Sequence, residues 1–351
     1  MSDLKYILVI RFSAIGDVAL TTAVLRAVDP GDHKILVLSR SSYADFFNHM
    51  ERTQFFRADL NGRHKGLTGI IRLVRDINRN FKITQVIDLH SVLRTWIIDL
   101  MYGLKGIRVN RIDKGRKDKK KFIKHKINIE LPHNIERYSD VFRKAKLITG
   151  NPIIPSFTIS DEVEKEATKI ISHIVPKGYD IIGISPFTKH KTKSWGIDNI
   201  RSLMQLLLSE HKVYFFLFGG REELSGLETL SSSSVNCHII AGKYNLETEL
   251  ALISRLGFMI SMDSANMHLA ALSGIPTVSI WGGTHPAMGF APCGNQEHII
   301  VQTPDSELGC RPCTVYGKGD CIRKDIKYKC LKLIDHKEVF RHIKESGLLG
   351  F

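Results

Sequence analysis

The sequence predicts an α/β protein of two doubly wound, Rossmann-like domains. Three observations carry that expectation. Apolar runs of strand length alternate with amphipathic helical segments along almost all of the 351 residues, the pattern of open parallel sheets covered by helices. The alternation pauses over residues 150–178, which hold Pro152, Pro155, Pro176 and one charged helix, and then restarts. A hydrophobic share of 43% over this length is enough for two full cores.

In the first half, strands are expected at Tyr6–Ile10, Lys34–Leu38 and Gln85–Leu89, and helices at Asp17–Val28 and Leu67–Arg79. These strands are mostly unbroken apolar runs, as burial on both faces of a parallel sheet requires. The junction carries the helix Asp161–Ile174. Beyond it, strands at Ile181–Ser185, Val213–Phe218, His238–Ala241, Met259–Ser261 and Thr277–Trp281 alternate with helices near Asp198–Glu210, Glu222–Leu230 and Leu246–Arg255. A last helix, Lys337–Ser346, is placed as returning to the first domain. The domains are thus drawn at residues 1–160 and 161–334, with 335–351 as the returning segment.

Composition excludes several classes. Apolar runs fall far short of the roughly 20 residues of a membrane span, and Arg11 ends the opening run too early for a secretory signal. The chain therefore reads as cytoplasmic. Its formal charge is +14, of which Lys105 to Lys126 hold +9 from eleven Lys or Arg and two Asp. A nucleic-acid binder would spread such charge over a face or carry a known module, so nucleic acid is not expected. One block points to one anionic partner: a phosphorylated substrate, or the anionic inner face of the cytoplasmic membrane, bound peripherally.

The most informative stretch is Met262–Pro276. It follows the apolar run Gly257–Ile260, and Gly274 and Pro276 close the helix that it opens. Asp263 and Ser264 are natural N-caps there, and the backbone N–H groups of Ser264, Ala265, Asn266 and Met267 would face an anion. A second small turn, Gly282-Gly283-Thr284, follows the next strand, and the two loops together suit a diphosphate. Thr188, Lys189, Lys191, Thr192 and Lys193 form a basic loop without acids, with Lys193 as the diphosphate cation. Asp263, which a diphosphate would repel, is assigned to sugar hydroxyls, and His268 to helix orientation or a secondary donor contact. Gly219-Gly220 lacks the third glycine of a dehydrogenase fingerprint, while Glu222 or Glu223 just after it suits a ribose. No Asp-x-Asp occurs, so metal-free neutralisation of the diphosphate is expected and no cofactor is required.

Several segments then fall together. The opening Ile7-Leu8-Val9-Ile10-Arg11-Phe12-Ser13-Ala14-Ile15-Gly16-Asp17-Val18 resembles that of the heptosyltransferase-like glycosyltransferases of family 9. Val86 to Arg94 is similar to their acceptor-side strand and turn. Lys193-Ser194-Trp195, Phe218-Gly219-Gly220, Asp263-Ser264 through Ala271, and Trp281 to Pro286 follow in the family's order. Ala265, Asn266, Gly283 and His285 depart from the family pattern, which bears on the donor sugar. The resemblance implies the GT-B arrangement, two Rossmann-like domains facing across a cleft. It implies ADP-heptose as donor in the second domain and an inner-core lipopolysaccharide acceptor at the first. Asp17 would be the general base. Ser13, Gly16, His90 and Arg94 would line the acceptor side, with Arg116, Lys119, Lys120 and Lys121 meeting its anionic groups.

Cys310, Cys313, Cys321 and Cys330 open with C-x2-C spacing but continue more loosely than common zinc ribbons. They read as reduced thiols, with a structural zinc as the alternative. Two other functional readings use the same scaffold: a nucleotide-sugar epimerase or hydrolase, and a non-catalytic nucleotide- or polyanion-binding protein.

Overall fold

The computed structural model describes residues 4–124, 127, 129–148, 150–232, 234 and 236–349. Lys126, which ends the basic block, lies outside them, as does neighbouring His125. The chain divides into two compact units, residues 1–115 with 132–158, and residues 116–131 with 159–351.

The first unit is a parallel sheet with strand order β3-β2-β1-β4-β5. Its strands are β1 (Lys5–Ile10), β2 (His33–Arg40), β3 (Thr53–Ala58), β4 (Lys82–Asp88) and β5 (Arg108–Arg111). Helices α1 (Ile15–Leu25), α2 (Gly66–Asn80) and α3 (Leu93–Gly103) connect them. Leu8, Ile10 and Val86 from the sheet meet Ile70, Leu73 and Ile77 of α2 and Ile98 and Tyr102 of α3 in one core. After β5 the chain forms α4 (Arg116–Ile123), which belongs to the second unit, and then α5 (Asn134–Lys144), which packs on α1.

The second unit is a parallel sheet of order β8-β7-β6-β9-β10-β11. In chain order it runs α6 (Asp161–Ile174), β6 (Asp180–Ser185), α7 (Ile197–Glu210), β7 (Val213–Leu217), α8 (Leu224–Ser231) and β8 (Cys237–Ile239). There follow α9 (Leu246–Ile253), β9 (Phe258–Met262), α10 (Ala265–Leu272), β10 (Thr277–Trp281), β11 (His298–Gln302), α11 (Lys329–Lys332) and α12 (His336–Glu345). Phe258, Ile260, Val278 and Ile280 are completely buried, which accounts for the unbroken apolar runs.

Two segments lie elsewhere than their sequence suggests. The last helix, α12, belongs to the second unit. Its Val339, Phe340 and Ile343 join that unit's own core, and it packs on α7. The basic helix α4 is also held by the second unit, because Phe122 and Leu131 pack on Met288 and the Leu131 N–H donates to the Ala287 carbonyl at 2.7 Å.

Candidate active site

In each unit the strand order reverses beside the first strand, between β1 and β4 and between β6 and β9. Loops at the carboxyl ends of such strands are where open α/β sheets bind ligands. The sequence-derived candidates fall on these four loops and their neighbours.

In the first unit the loop after β1 runs directly into α1. The helix begins at Ile15, two residues before the expected start, so Asp17 lies in its first turn, where its carboxylate accepts the Ala14 N–H at 3.3 Å. Arg11 Nη2 is 2.6 Å from Asp17 Oδ2. Asn134 Nδ2 donates to Asp17 Oδ1 at 3.2 Å, and the Tyr138 hydroxyl donates to the Asp17 carbonyl at 3.3 Å. The Arg11 guanidinium is buried, donates to the Leu89 carbonyl at 2.6 Å and lies 5.6 Å from the Tyr138 ring centre. Burial disfavours its charge, but Asp17, with Tyr138 and Asp88, more than restores it, leaving Arg11 above its usual range.

The β4 loop is tied to the same place. His90 Nδ1 accepts the Phe12 N–H at 2.9 Å. Burial, with Arg11 and Lys114 nearby, pushes the imidazole down to about 3, so it stays neutral and keeps that acceptor. Asp88 is fully buried and accepts the His90 and Ser91 N–H groups at 2.8 and 2.9 Å and the Thr95 hydroxyl at 2.8 Å. Asp99 on α3 is raised by burial and by Asp88, with Arg111 at 2.7 Å opposing. Ser13 is half-buried, Gly16 buried, and Arg94 stands in the first turn of α3.

In the second unit Asp263 knots three loops. Lys193 Nζ lies 2.8 Å from Asp263 Oδ2 and also donates to the Asp263 carbonyl at 3.2 Å. The Thr284 hydroxyl donates to the same carboxylate at 2.7 Å. Ser264 is the N-cap residue of α10 but makes no side-chain cap; its hydroxyl pairs with that of Ser261 at 3.0 Å. Ala265, Asn266 and Met267 form the first turn, with Asn266 Nδ2 donating to Ser185 Oγ at 2.9 Å, and half-buried His268 follows. The Gly283 N–H donates to the Thr192 carbonyl at 2.8 Å, and a Cβ on Gly282 would lie 2.4 Å from that oxygen. Only glycine allows so close an approach. Thr188 donates to the His190 carbonyl at 2.9 Å. The Gly220 N–H is taken by Glu223 at 2.8 Å, which leaves exposed Glu222 as the carboxylate beside Gly219-Gly220. Trp195 packs beneath its loop, donating to the Ile334 carbonyl at 2.9 Å.

The lysines of α4 divide. Lys120 and Lys121 are exposed, as is Arg116, but Lys119 is 2% exposed, with its ammonium 4.2 Å from the Phe290 ring centre. It is a packing residue and not a surface cation.

Three groups escaped sequence reasoning. Asn134 and Tyr138 reach Asp17 from α5, far along the chain, and no local spacing announces them. Arg311 is 1% exposed and binds the carbonyls of Gly282, Thr284 and Thr303, clamping the glycine turn from behind. The only local sign is a basic residue wedged into the cysteine segment. The cysteines there are free thiols. Cys321 Sγ accepts the Tyr328 N–H at 3.2 Å, and burial, partly offset by Arg311, pushes Cys330 up to about 11. Among the described residues no group of three His, Cys, Asp or Glu is disposed to hold a metal ion.

Two doubly wound parallel sheets of this order, each with its candidate groups at the switch point, are the pair of Rossmann-like domains of the GT-B fold class. Residues 70–318 match glycosyltransferase family 9 (heptosyltransferase), and the chain belongs to that family. It is 21% identical over 310 residues to the lipopolysaccharide core heptosyltransferase OpsX of Haemophilus influenzae, covering 84% of each chain. A family 9 glycosyl transferase from Veillonella parvula superposes with a TM-score of 0.77 at 22% identity, over 100% of this chain and 99% of that one. The E. coli heptosyltransferase WaaC, solved with ADP, gives 0.66 at 16% identity, over 97% and 99%. The chain is therefore an enzyme that transfers glycosyl groups. Among the described residues no helix is long and apolar enough to cross a membrane.

Proposed function

We propose that this enzyme moves a heptose, or a closely related sugar, from ADP-heptose to the inner core of lipopolysaccharide, with inversion and without a metal ion. The observation that carries the reading is Asp17: a carboxylate at a switch-point loop, oriented by Arg11 and Asn134 and still 30% exposed. Asp17 takes the proton of the acceptor hydroxyl as its oxygen attacks the anomeric carbon and ADP departs. Lys193 and the first turn of α10, at Ala265, Asn266 and Met267, receive the growing diphosphate charge, with Thr188, Ser264 and Gly282 to Thr284 shaping the loops. For Lys193 this means sharing its ammonium between Asp263 and the phosphates. Glu222 serves the ribose. Ser13, Gly16, His90 and Arg94 shape the acceptor side, and Arg116, Lys120 and Lys121 meet its anionic groups. The enzyme works in the cytoplasm, peripherally at the inner membrane face where a lipid-anchored core is presented. The names of the relatives, OpsX and WaaC, and the ADP in the latter's structure support this reading.

The test is transfer from a panel of nucleotide-linked heptoses and hexoses to truncated lipopolysaccharide cores, followed by ADP release and acceptor mass. ADP-heptose should give one added heptose, undiminished by a chelator. ADP release that ignores acceptor, or no transfer from any ADP-linked sugar, would overturn the proposal.

A further inference from the structure

Helix α3 is apolar around most of its circumference, yet only one side is covered. Ile98 and Tyr102 enter the first unit's core, with Thr95 and Asp99 buried beside them. The opposite side carries Leu93, Trp96, Leu100 and Leu104, exposed by 71%, 41%, 61% and 80%. Steps of three and four residues align these four in a single stripe. A helix apolar on both sides is ordinarily buried on both sides, and a contiguous exposed patch marks an interaction surface.

The charge around the stripe selects what covers it. From Leu89 to Arg111 the basic residues are Arg94, Lys105, Arg108 and Arg111, and the only acid is Asp99, buried against Arg111. Neighbouring α2 shares the same core and exposes Arg72, Arg75 and Arg79. Its single acid, Asp76, is engaged by Arg63 and Arg79. A second copy docked face to face would set this cationic rim against itself. A bilayer with anionic lipid meets both features, with acyl chains at the stripe and phosphate headgroups at the rim. Tryptophan is also suited to the headgroup boundary.

We propose that the outer face of α3 is the surface by which this protein seats on an anionic membrane leaflet, with the arginines of α2 as its electrostatic flank. The inference deepens the proposed function, resting on it only for the lipid-anchored acceptor.

Trp96 makes the surface testable in the full-length protein. Of the three tryptophans, Trp195 and Trp281 are buried, so Trp96 alone reports from the surface. Vesicles of phosphatidylcholine mixed equally with phosphatidylglycerol should bind the protein and blue-shift its fluorescence, and Trp96→Phe should abolish the shift. The triple variant Leu93→Ser, Leu100→Ser, Leu104→Ser should lose at least about tenfold in vesicle affinity while keeping nucleotide-sugar binding. Arg72→Glu with Arg75→Glu should weaken binding and flatten its salt dependence. Failure of the wild-type protein to bind anionic vesicles, or unchanged binding by the triple variant, overturns the proposal. So does a dimer that the triple variant turns into monomer without any vesicle effect, which would assign the stripe to a second copy. Vesicle binding without sugar transfer would strike the proposed function and leave this surface standing; transfer without vesicle binding would do the reverse.

Discussion

Asp17 and Asp263 both lie just past the carboxyl end of a strand bordering a strand-order reversal, yet they are built for different work. The Asp17 carboxylate is 30% exposed and is steadied by a guanidinium, a backbone N–H and a side-chain amide. The Asp263 carboxylate is 9% exposed and is held by Lys193 and Thr284, from two other loops. One is oriented with an accessible edge, and the other is a knot. Residue type and place in the fold do not separate the proposed proton acceptor from a carboxylate tied into its loops. Burial, and the origin of the partners, do.

The largest effect that would sharpen this contrast is on turnover. Asp17→Asn keeps an acceptor for Arg11 and removes the basic oxygen, so kcat should fall by about 10² to 10⁴ while donor affinity and Tm stay close to those of the wild type. Asp17→Ala should behave differently, because it strands a buried guanidinium. Such losses typically cost about 3 kcal/mol or more, so Tm should drop along with turnover. A near-normal kcat for Asp17→Asn would move the general base elsewhere.

Asp263 should show the opposite profile. Lys193→Met leaves a nearly buried carboxylate uncompensated, at a cost of about 3 kcal/mol in unfolding free energy. Pairing it with Asp263→Asn should recover much of that stability, since the two residues interact directly. Donor affinity, measured by titration with ADP, should remain low in the double variant if Lys193 serves the diphosphate as proposed. Recovery of ADP affinity together with stability would reduce Lys193 to a strut.

Much of this fold was legible from the residues. The central strands β1, β6, β9 and β10 are mostly apolar along their length because they are buried on both faces of their sheets. The strands β3, β5 and β11 were missed. Each is at a sheet edge, and TQFFRA, RVNR and HIIVQ mix polar with apolar positions as edge exposure permits. Helix α3 escaped because its exposed side is as apolar as its buried side, which erases the helical period. At the candidate site, the loops themselves could be found by their small and polar residues. Their wiring could not. Lys193 and Asp263 are distant in sequence, as are Asp17 and Asn134, and only the completed sheets bring them together. Lys119 sits in the most basic stretch of the chain and is nevertheless buried, because Phe122 and Leu131 draw its helix onto the second unit.

A further effect, no larger than these, separates the two units by the sign of their response to pH. His90 in the first unit titrates at about 3 in the folded protein, against an ordinary value of 6.5. The unfolded chain takes up that proton first, so the contribution is complete above pH 6.5 and is lost as pH falls, amounting to about 3 kcal/mol by pH 4. Glu249 in the second unit is raised by burial to about 7, from 4.5. Here the folded state keeps a proton that the unfolded chain releases, so stability falls as pH rises from 4.5 to 7, by up to about 3 kcal/mol. Melting curves from pH 4 to pH 8 should therefore flatten on the acid side for His90→Asn and on the neutral side for Glu249→Gln. If both variants instead track the wild type in parallel, burial does not govern either group, and the neutral imidazole that accepts the Phe12 N–H loses its support.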